Sequence, residues 1–194
     1  MSISLVAGLG NPGREYEGTR HNIGFVVVEA LARQLGLTWQ KQRSFLAETA
    51  RWDAAPGRTV LFAKPLTYMN ESGRSVQAMT GYYKIPANAV VAVYDDLTMD
   101  VARLKVSVTG SAGGHNGVAS LIAALGGGFT RYRIGIGPKS PPQMDLKDFV
   151  LGKFTSEQQL LIDQTLDHYT AGLRLLLAEG PDRAMNQLNR RDTQ

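Results

Sequence analysis

The order of hydrophobic and polar residues along the chain predicts six strands. The predicted strands are residues 3–7, 44–52, 58–63, 89–94, 101–108 and 131–136. Residues 3–7 and 89–94 are short apolar runs, which are typical of buried strands. In residues 101–108 apolar and polar side chains alternate, as in a half-exposed strand. Pro56 and Gly57 form a turn signal between the second and third. The fourth strand places Asp95 and Asp96 at its carboxyl end.

Apolar residues at spacings of three and four predict helices between these strands. The predicted helices are residues 22–35, 70–84, 115–125, 156–179 and a last one from Pro181. Asn22 suits the N-cap of the first, and Gly36 ends it. His168 lies in the leucine-rich fourth helix, where a surface or packing role is expected.

Strands interleaved with helices favour the α/β class. The consecutive strand pairs imply that part of the sheet is antiparallel. For the 194 residues we predict a single domain over residues 1–194. It has a mixed, mostly parallel, twisted sheet flanked by helices, and a helical C-terminal region.

Composition narrows the class of protein further. Hydrophobic residues make up 43% of the chain and charged residues 20%, with a formal net charge of +4, which are proportions of a globular protein. The absence of cysteine excludes disulfides and thiol nucleophiles. The longest stretch without Asp, Glu, Lys or Arg, residues 106–130, contains seven glycines, which argues against a transmembrane helix. We therefore predict a cytoplasmic protein with no membrane partner.

One glycine motif favours a nucleotide site at first sight. Residues 8–13 read G-L-G-N-P-G and follow a predicted strand, as in dinucleotide-binding folds. However, Pro12 leads into a turn-rich segment and not into a helix that would hold a pyrophosphate. The acidic residue at the expected spacing, Glu29, falls inside a helix. A dinucleotide site is therefore disfavoured.

Polar residues gather instead at the predicted strand ends and helix starts. They are Asn11, His21, Asn70, Asp95 and Asn116. In α/β sheets such ends meet at one edge, where ligands usually bind. Amides beside histidine and one carboxylate predict a pocket rich in hydrogen-bond donors, which suits a carbonyl or ester substrate. The asparagines are also typical of plain turns and helix caps.

Three other functions remain as alternatives. His21, His115 and a carboxylate permit a metal site, although no H-x-x-x-H or H-E-x-x-H spacing occurs. A non-catalytic RNA-binding module would explain the basic charge and exposed tyrosines, but it needs no histidine–aspartate pair. A serine hydrolase is disfavoured because G-x-S-x-G is missing from the sequence.

Seven motifs occur in an order that resembles the bacterial peptidyl-tRNA hydrolase family. They are G-L-G-N-P-G-R-E-Y (8–16), T-R-H-N-I-G (19–24), K-P-L-T-Y-M-N-E-S-G (64–73), Y-D-D-L (94–97), G-G-H-N-G (113–117), R-Y-R-I-G-I-G (131–137) and F-V-L-G-K-F (149–154). The resemblance covers nearly the whole chain. It implies an esterase that releases peptide from prematurely dissociated peptidyl-tRNA.

The resemblance also implies roles for individual residues. His21 matches the general base, Asp95 the residue that orients it, and Asn11 the residue that recognises the blocked amine of the substrate. The positions that match substrate-binding residues are Tyr16, Tyr68, Met69, Asn70 and Asn116. Those that match the tRNA phosphate-binding pair are Lys105 and Arg133, with His115 and Arg103 nearby. Peptidyl-tRNA is the partner implied, with no metal or cofactor, and a monomer is expected.

The chain departs from the family pattern in two segments and at one residue. Residues 106–112 read V-S-V-T-G-S-A where the family is usually glycine-rich. The loop after Asp95 is shorter than usual, and Tyr68 stands where phenylalanine is frequent. These departures concern loop shape and phosphate binding.

Overall fold

The computed structural model describes residues 2–190, and seven strands in this range join one sheet. The strands are β1 (Leu5–Gly8), β2 (Gln40–Gln42), β3 (Ala47–Ala55), β4 (Arg58–Pro65), β5 (Val90–Asp100), β6 (Leu104–Ser107) and β7 (Thr130–Gly137). Their order across the sheet is β2-β3-β4-β1-β5-β7-β6.

The centre of the sheet is parallel and its edges are antiparallel. Strands β4, β1, β5 and β7 pair in parallel. Strand β3 runs against β2 and β4, and β6 runs against β7, so β3 and β6 alone oppose the direction of the other described strands. The sequence-based prediction of a mixed, mostly parallel sheet is confirmed.

Helices cover both faces of this sheet. They are α1 (Ile23–Gln34), α2 (Ser72–Tyr83), α3 (Asn116–Leu125), α4 (Leu146–Leu151), α5 (Ser156–Glu179) and α6 (Pro181–Leu188). Apolar residues of α1, α4, α5 and α6 form one core with the sheet. Those of α2 and α3 form a second core on the opposite face. No helix within residues 2–190 is long and apolar enough to cross a membrane.

Four elements differ from the predictions, and two of the differences have a visible backbone cause. The short edge strand β2 (Gln40–Gln42) was not predicted. The strand predicted over residues 44–52 begins only at Ala47, because a 3₁₀ turn at Arg43–Phe45 leads into Leu46 with φ of 51°. The strand predicted over residues 101–108 is shortened to β6, because a turn with Ala102 at φ of 71° follows the long β5. The short helix α4 was not predicted by periodicity, since it has only six residues.

Candidate active site

A groove of about 940 Å³ lies at the carboxyl ends of the parallel strands. This is the edge where α/β sheets usually bind ligands. The groove is lined by ten of the residues that the sequence singled out. They are Asn11, Tyr16, His21, Tyr68, Met69, Asn70, Asp95, His115, Asn116 and Arg133. Lys105 is exposed on β6 and does not line the groove.

His21 reaches the groove from a 3₁₀ turn, Arg20–Asn22, that leads into α1. The first turn of α1 packs very closely on the sheet. A Cβ at Gly24 would lie 2.3 Å from the backbone oxygen of Val93 and 2.5 Å from that of Leu9. Only glycine allows this approach, which places His21 beside the end of β5.

Arg20 fixes the other side of the same turn. Its backbone N–H donates to the oxygen of Gly152 at 3.0 Å, and its guanidinium donates to the oxygen of Phe149 at 3.2 Å. The guanidinium also lies 4.5 Å from the ring centre of Phe149 and donates to Gln158 at 3.0 Å. Arg20 therefore ties the turn that carries His21 to α4 and α5.

Asp95 lies between two histidines. Its Oδ1 is 2.9 Å from Nδ1 of His21 and 3.0 Å from Nε2 of His115. Burial by itself raises the pKa of Asp95, but the charges and hydrogen bonds of His115 and His21 outweigh burial, and the net pKa lies well below its usual range. Asp95 is therefore an ionised acceptor shared by both rings.

The hydrogen bonds define which ring nitrogens carry protons. Nδ1 of His115 accepts the backbone N–H of Val118 at 3.2 Å, so the proton of a neutral His115 sits on Nε2 and is donated to Asp95. On His21 the nitrogen that faces Asp95 is Nδ1, which must donate to the carboxylate. Nε2 of a neutral His21 then has no hydrogen-bond partner among the described residues and can accept a proton.

Asn11 is oriented by two partners. Its Oδ1 accepts the N–H of Met69 at 2.7 Å. Its own N–H donates to Oδ1 of Asn22 at 2.8 Å, and its backbone oxygen accepts from Nδ2 of Asn22 at 2.9 Å. Since Oδ1 is occupied by Met69, the donor end of the Asn11 amide, Nδ2, remains for a ligand.

Two tyrosines and two exposed asparagines surround the same groove. The rings of Tyr16 and Tyr68 meet edge to face at 6.4 Å between centres. Asn70 precedes α2 and Asn116 begins α3. The first N–H groups of a helix have no partner inside it, so this end of the groove combines aromatic faces with amide donors.

The opposite end of the groove is formed by β5, β6 and β7. Arg133 donates to Asp96 at 2.6 Å and makes a salt bridge with it at 2.5 Å through a second nitrogen. Burial raises the pKa of Asp96, but its bonds to Thr98 and Arg133 lower it below its usual value overall. Lys105 lies directly opposite Arg133 in the β6–β7 ladder.

The structure also brings together the three residues of the metal-site alternative. One ligand atom each from His21, Asp95 and His115 lie within 4.8 Å of one another, a donor set that suits several transition metals. A metal held there would replace the hydrogen bonds that now join Asp95 to both rings.

Sequence reasoning missed part of the site. Asn22 was expected to cap α1, but its side chain makes no cap bond and holds Asn11 instead. Asp96 and Arg20 received no role, because their partners lie 37 and 129 residues away. The T-R-H-N motif contains both Arg20 and Asn22, so it was the available signal. His168 is exposed on α5, as expected.

Comparisons with known proteins agree over nearly the whole chain. A family model described as peptidyl-tRNA hydrolase matches residues 5–194. The peptidyl-tRNA hydrolase of Gloeobacter violaceus is 41% identical over 98% of this chain and 96% of that protein. That of Chloroflexus aurantiacus is 45% identical over 95% and 98%. The crystal structure of peptidyl-tRNA hydrolase from Acinetobacter baumannii matches with a TM-score of 0.89 and 39% identity, covering 96% of this chain and 94% of that one.

Proposed function

The chain belongs to the peptidyl-tRNA hydrolase family and is an ester hydrolase, and from this premise we propose that His21 is its general base. The observation that carries the proposal is the 2.9 Å contact between Nδ1 of His21 and Oδ1 of Asp95. Asp95 holds the ring in the tautomer whose Nε2 accepts a proton. A histidine of this kind suits general-base catalysis near neutral pH.

The proposed reaction is hydrolysis of the ester between peptide and tRNA. A water molecule gives one proton to Nε2 of His21, while its oxygen bonds to the ester carbon and the carbonyl electrons move to the oxygen. Collapse of this intermediate breaks the bond to the tRNA 3′ oxygen, which takes the proton from His21. The products are a peptide with a free carboxyl group and a tRNA with a free hydroxyl group.

Asn11 is proposed to select substrates with a blocked amine. Its free Nδ2 group donates a hydrogen bond, and the carbonyl of a peptidyl substrate can accept one. The ammonium of aminoacyl-tRNA offers only donors, so it would leave Nδ2 unmatched. An unmatched buried polar group is costly, which gives the site a physical basis for preferring peptidyl-tRNA.

The remaining groove residues are assigned to binding. Asn70 and Asn116 supply amide donors near the ester, where the developing oxyanion needs them. Tyr16, Tyr68 and Met69 form the side of the groove nearest Asn11, and we assign the peptide to that side. Contact with backbone and ester atoms alone would let one enzyme accept any peptide.

Lys105 and Arg133 are proposed to bind tRNA phosphate. His115 was expected to join them, but both of its ring nitrogens are engaged, with Asp95 and Val118. We therefore assign His115 to positioning Asp95. A single domain over residues 1–194, a monomeric state and a cytoplasmic location stay predictions from the sequence.

Purified peptidyl-tRNA provides the test. The chain should release peptide and intact tRNA, and His21→Ala should lower turnover by roughly 10²–10⁴ without unfolding, as expected for removal of a general base. His168→Ala, which removes an exposed histidine outside the groove, is the matched control. Near-normal turnover in folded His21→Ala would exclude this mechanism, and tRNA binding without hydrolysis by the wild type would favour the RNA-binding alternative.

Independence from metal is a further expectation, because the proposed steps need no Lewis acid. Exhaustive chelation should leave peptidyl-tRNA hydrolysis unchanged. Activity that disappears on chelation and returns with zinc or manganese would instead support the two-histidine, one-carboxylate metal site.

A further inference from the structure

Arg131 is a buried arginine on the groove side of β7. Arg131 is 2% exposed, yet it lines the groove. No carboxylate among residues 2–190 forms a salt bridge with it, and its Nε has no hydrogen-bond partner there. Its guanidinium rests on the ring of Phe129 and donates to the backbone oxygen of Gly110 at 2.7 Å. Buried charges in proteins are normally paired with a charge of opposite sign. Within the described chain, Arg131 has no such partner.

Ser107 lies directly opposite Arg131 in the β6–β7 ladder. Its hydroxyl oxygen is also buried and without a partner inside the described chain, although Ser107 lines the groove. Residues paired across an antiparallel ladder point to the same face of the sheet. Two unsatisfied polar groups, one cationic and one neutral, are thus placed side by side at the groove wall.

The same face of β6 and β7 carries the other basic residues of the groove. Along β7, Tyr132 and Ile134 point into the core beneath the helices, so Arg131 and Arg133 point the other way. Across the ladder they face Ser107 and Lys105. Asp96 already neutralises Arg133, which leaves Arg131 as the arginine of this face without an ionic partner among residues 2–190.

The order of strands fixes which part of a substrate meets this face. Asp95 lies on β5, with β1 and β4 on one side and β7 and β6 on the other. Asn11 follows β1 and Met69 follows β4, which is the side assigned to the peptide. Since neighbouring strands lie about 4.8 Å apart, a peptide placed on that side directs the nucleotide on the other side of the ester toward β7 and β6.

We propose that Arg131 and Ser107 form a subsite for a phosphodiester of the tRNA 3′ end, separate from Lys105 and Arg133. The backbone oxygen of Gly110 now accepts the hydrogen bond that a phosphate oxygen would take. Gly110 must move to admit the phosphate, because its backbone oxygen holds the Arg131 guanidinium. The hydroxyl of Ser107 donates a second bond to the same phosphate. This proposal rests on the proposed function, whose substrate it describes in more detail.

Three ester substrates test the subsite: full-length peptidyl-tRNA, a peptidyl-trinucleotide with the tRNA 3′ sequence, and a peptidyl-nucleoside without phosphate. Ser107→Ala should raise the ratio of the trinucleotide KM to the nucleoside KM about tenfold, as for a lost hydrogen bond to a charged group. Arg131→Lys should raise it at least as much, because lysine lacks the planar set of donors.

Ser75→Ala is the matched control, since Ser75 also has a buried hydroxyl without a partner in the described part of the chain but lies outside the groove lining. It should leave that ratio unchanged. An equal effect of Ser107→Ala or Arg131→Lys on all three esters would show a purely structural role and overturn the subsite. An unchanged ratio of trinucleotide KM to nucleoside KM in folded Ser107→Ala would also overturn the subsite. This variant alone decides the test if Arg131→Lys does not fold.

Calorimetric binding of the deacylated trinucleotide separates this proposal from the function on which it rests. Ser107→Ala should weaken that binding about tenfold and leave its dependence on salt nearly unchanged, because a neutral hydroxyl neutralises no phosphate charge. If the wild type cleaved no ester but this difference persisted, the hydrolytic function would fail and the subsite would stand. Hydrolysis with equal trinucleotide binding by both proteins would reject the subsite alone.

Discussion

Asn22 holds the backbone of Asn11 by two hydrogen bonds, one accepted by Oδ1 at 2.8 Å and one donated by Nδ2 at 2.9 Å. Both residues are buried, at 6% and 8% exposure. A third bond, from the N–H of Met69 to Oδ1 of Asn11, fixes the side chain. The amide of Asn11 thus presents its donor to the groove before any substrate arrives.

The first prediction concerns Asn11 and the choice between peptidyl- and aminoacyl-tRNA. Asn11→Asp keeps an oxygen for Met69 but replaces the donor by a second acceptor, which favours an ammonium. We expect this variant to lose preference for peptidyl-tRNA, and Asn11→Ala to weaken peptidyl substrates mainly. The ratio of kcat/KM for the two substrates is the measurement. An unchanged ratio in both variants would contradict the assignment.

The second prediction concerns the two bonds made by His115. His115→Ala removes the cap of α3 and the partner of Asp95. Its free energy of unfolding should fall by about 1 kcal/mol, as for other lost caps, and its kcat about tenfold, as for one lost hydrogen bond to a charged group. The salt dependence of tRNA binding should not change, because in the wild type both ring nitrogens of His115 are already engaged, with Asp95 and Val118, and neither can donate to a phosphate.

His115→Asn separates these effects. Asparagine is a good N-cap, so this variant should keep the stability of α3, but its shorter side chain loses Asp95. Its kcat should therefore fall as in His115→Ala while its melting temperature stays near that of the wild type. A raised KM for full-length substrate with unchanged kcat would instead restore the phosphate role expected from the sequence.

The third prediction concerns pH and Asp95. Its pKa is lowered in the folded chain, so its ionised form stabilises the fold above the unfolded pKa near 3.9. That contribution is lost as the pH falls through the folded value. Asp95→Asn cannot lose it, so its free energy of unfolding should vary less than that of the wild type between about pH 5 and pH 3. Urea unfolding at several pH values measures this, and parallel curves would contradict it.

Most of the fold was predictable because each central strand is a short apolar run between turn residues. The strands toward the two edges of the sheet were harder to predict. Leu46 and Ala102 adopt left-handed backbone conformations that leave no mark in the hydrophobic pattern of their segments, and they delay the start of two predicted strands. Helix α4 is too short for periodicity to reveal.

The site was predictable as a set of residues but not as a set of contacts. The strand ends and the family motifs both pointed to His21, Asp95 and Asn11, which the structure brings to one groove. The pairing of Arg133 with Asp96 depends on the register of β5 and β7, which sequence does not reveal. The bond from Val118 to His115 likewise depends on the detailed start of α3.

The last prediction separates two roles of the basic pair. Lys105 is exposed, so Lys105→Ala should flatten the log–log salt slope of tRNA binding by about 0.7–0.9 with little change in melting temperature. Arg133→Ala should flatten it similarly but also destabilise the fold by about 1–3 kcal/mol, because Asp96 loses its ionic partner.

Asp96→Asn decides what Arg133 does, because it breaks the same salt bridge while keeping the arginine. If Arg133 binds phosphate, this variant should lose stability as Arg133→Ala does, yet bind full-length tRNA at least as tightly as the wild type, since the guanidinium no longer has a competing carboxylate. If Arg133 only supports the fold, both variants should lose stability and neither should change the salt slope. Salt titrations of tRNA binding, measured beside urea unfolding of each variant, distinguish the outcomes. A slope in Arg133→Ala equal to that of the wild type would remove Arg133 from phosphate binding and leave Lys105 as the tested member of this pair.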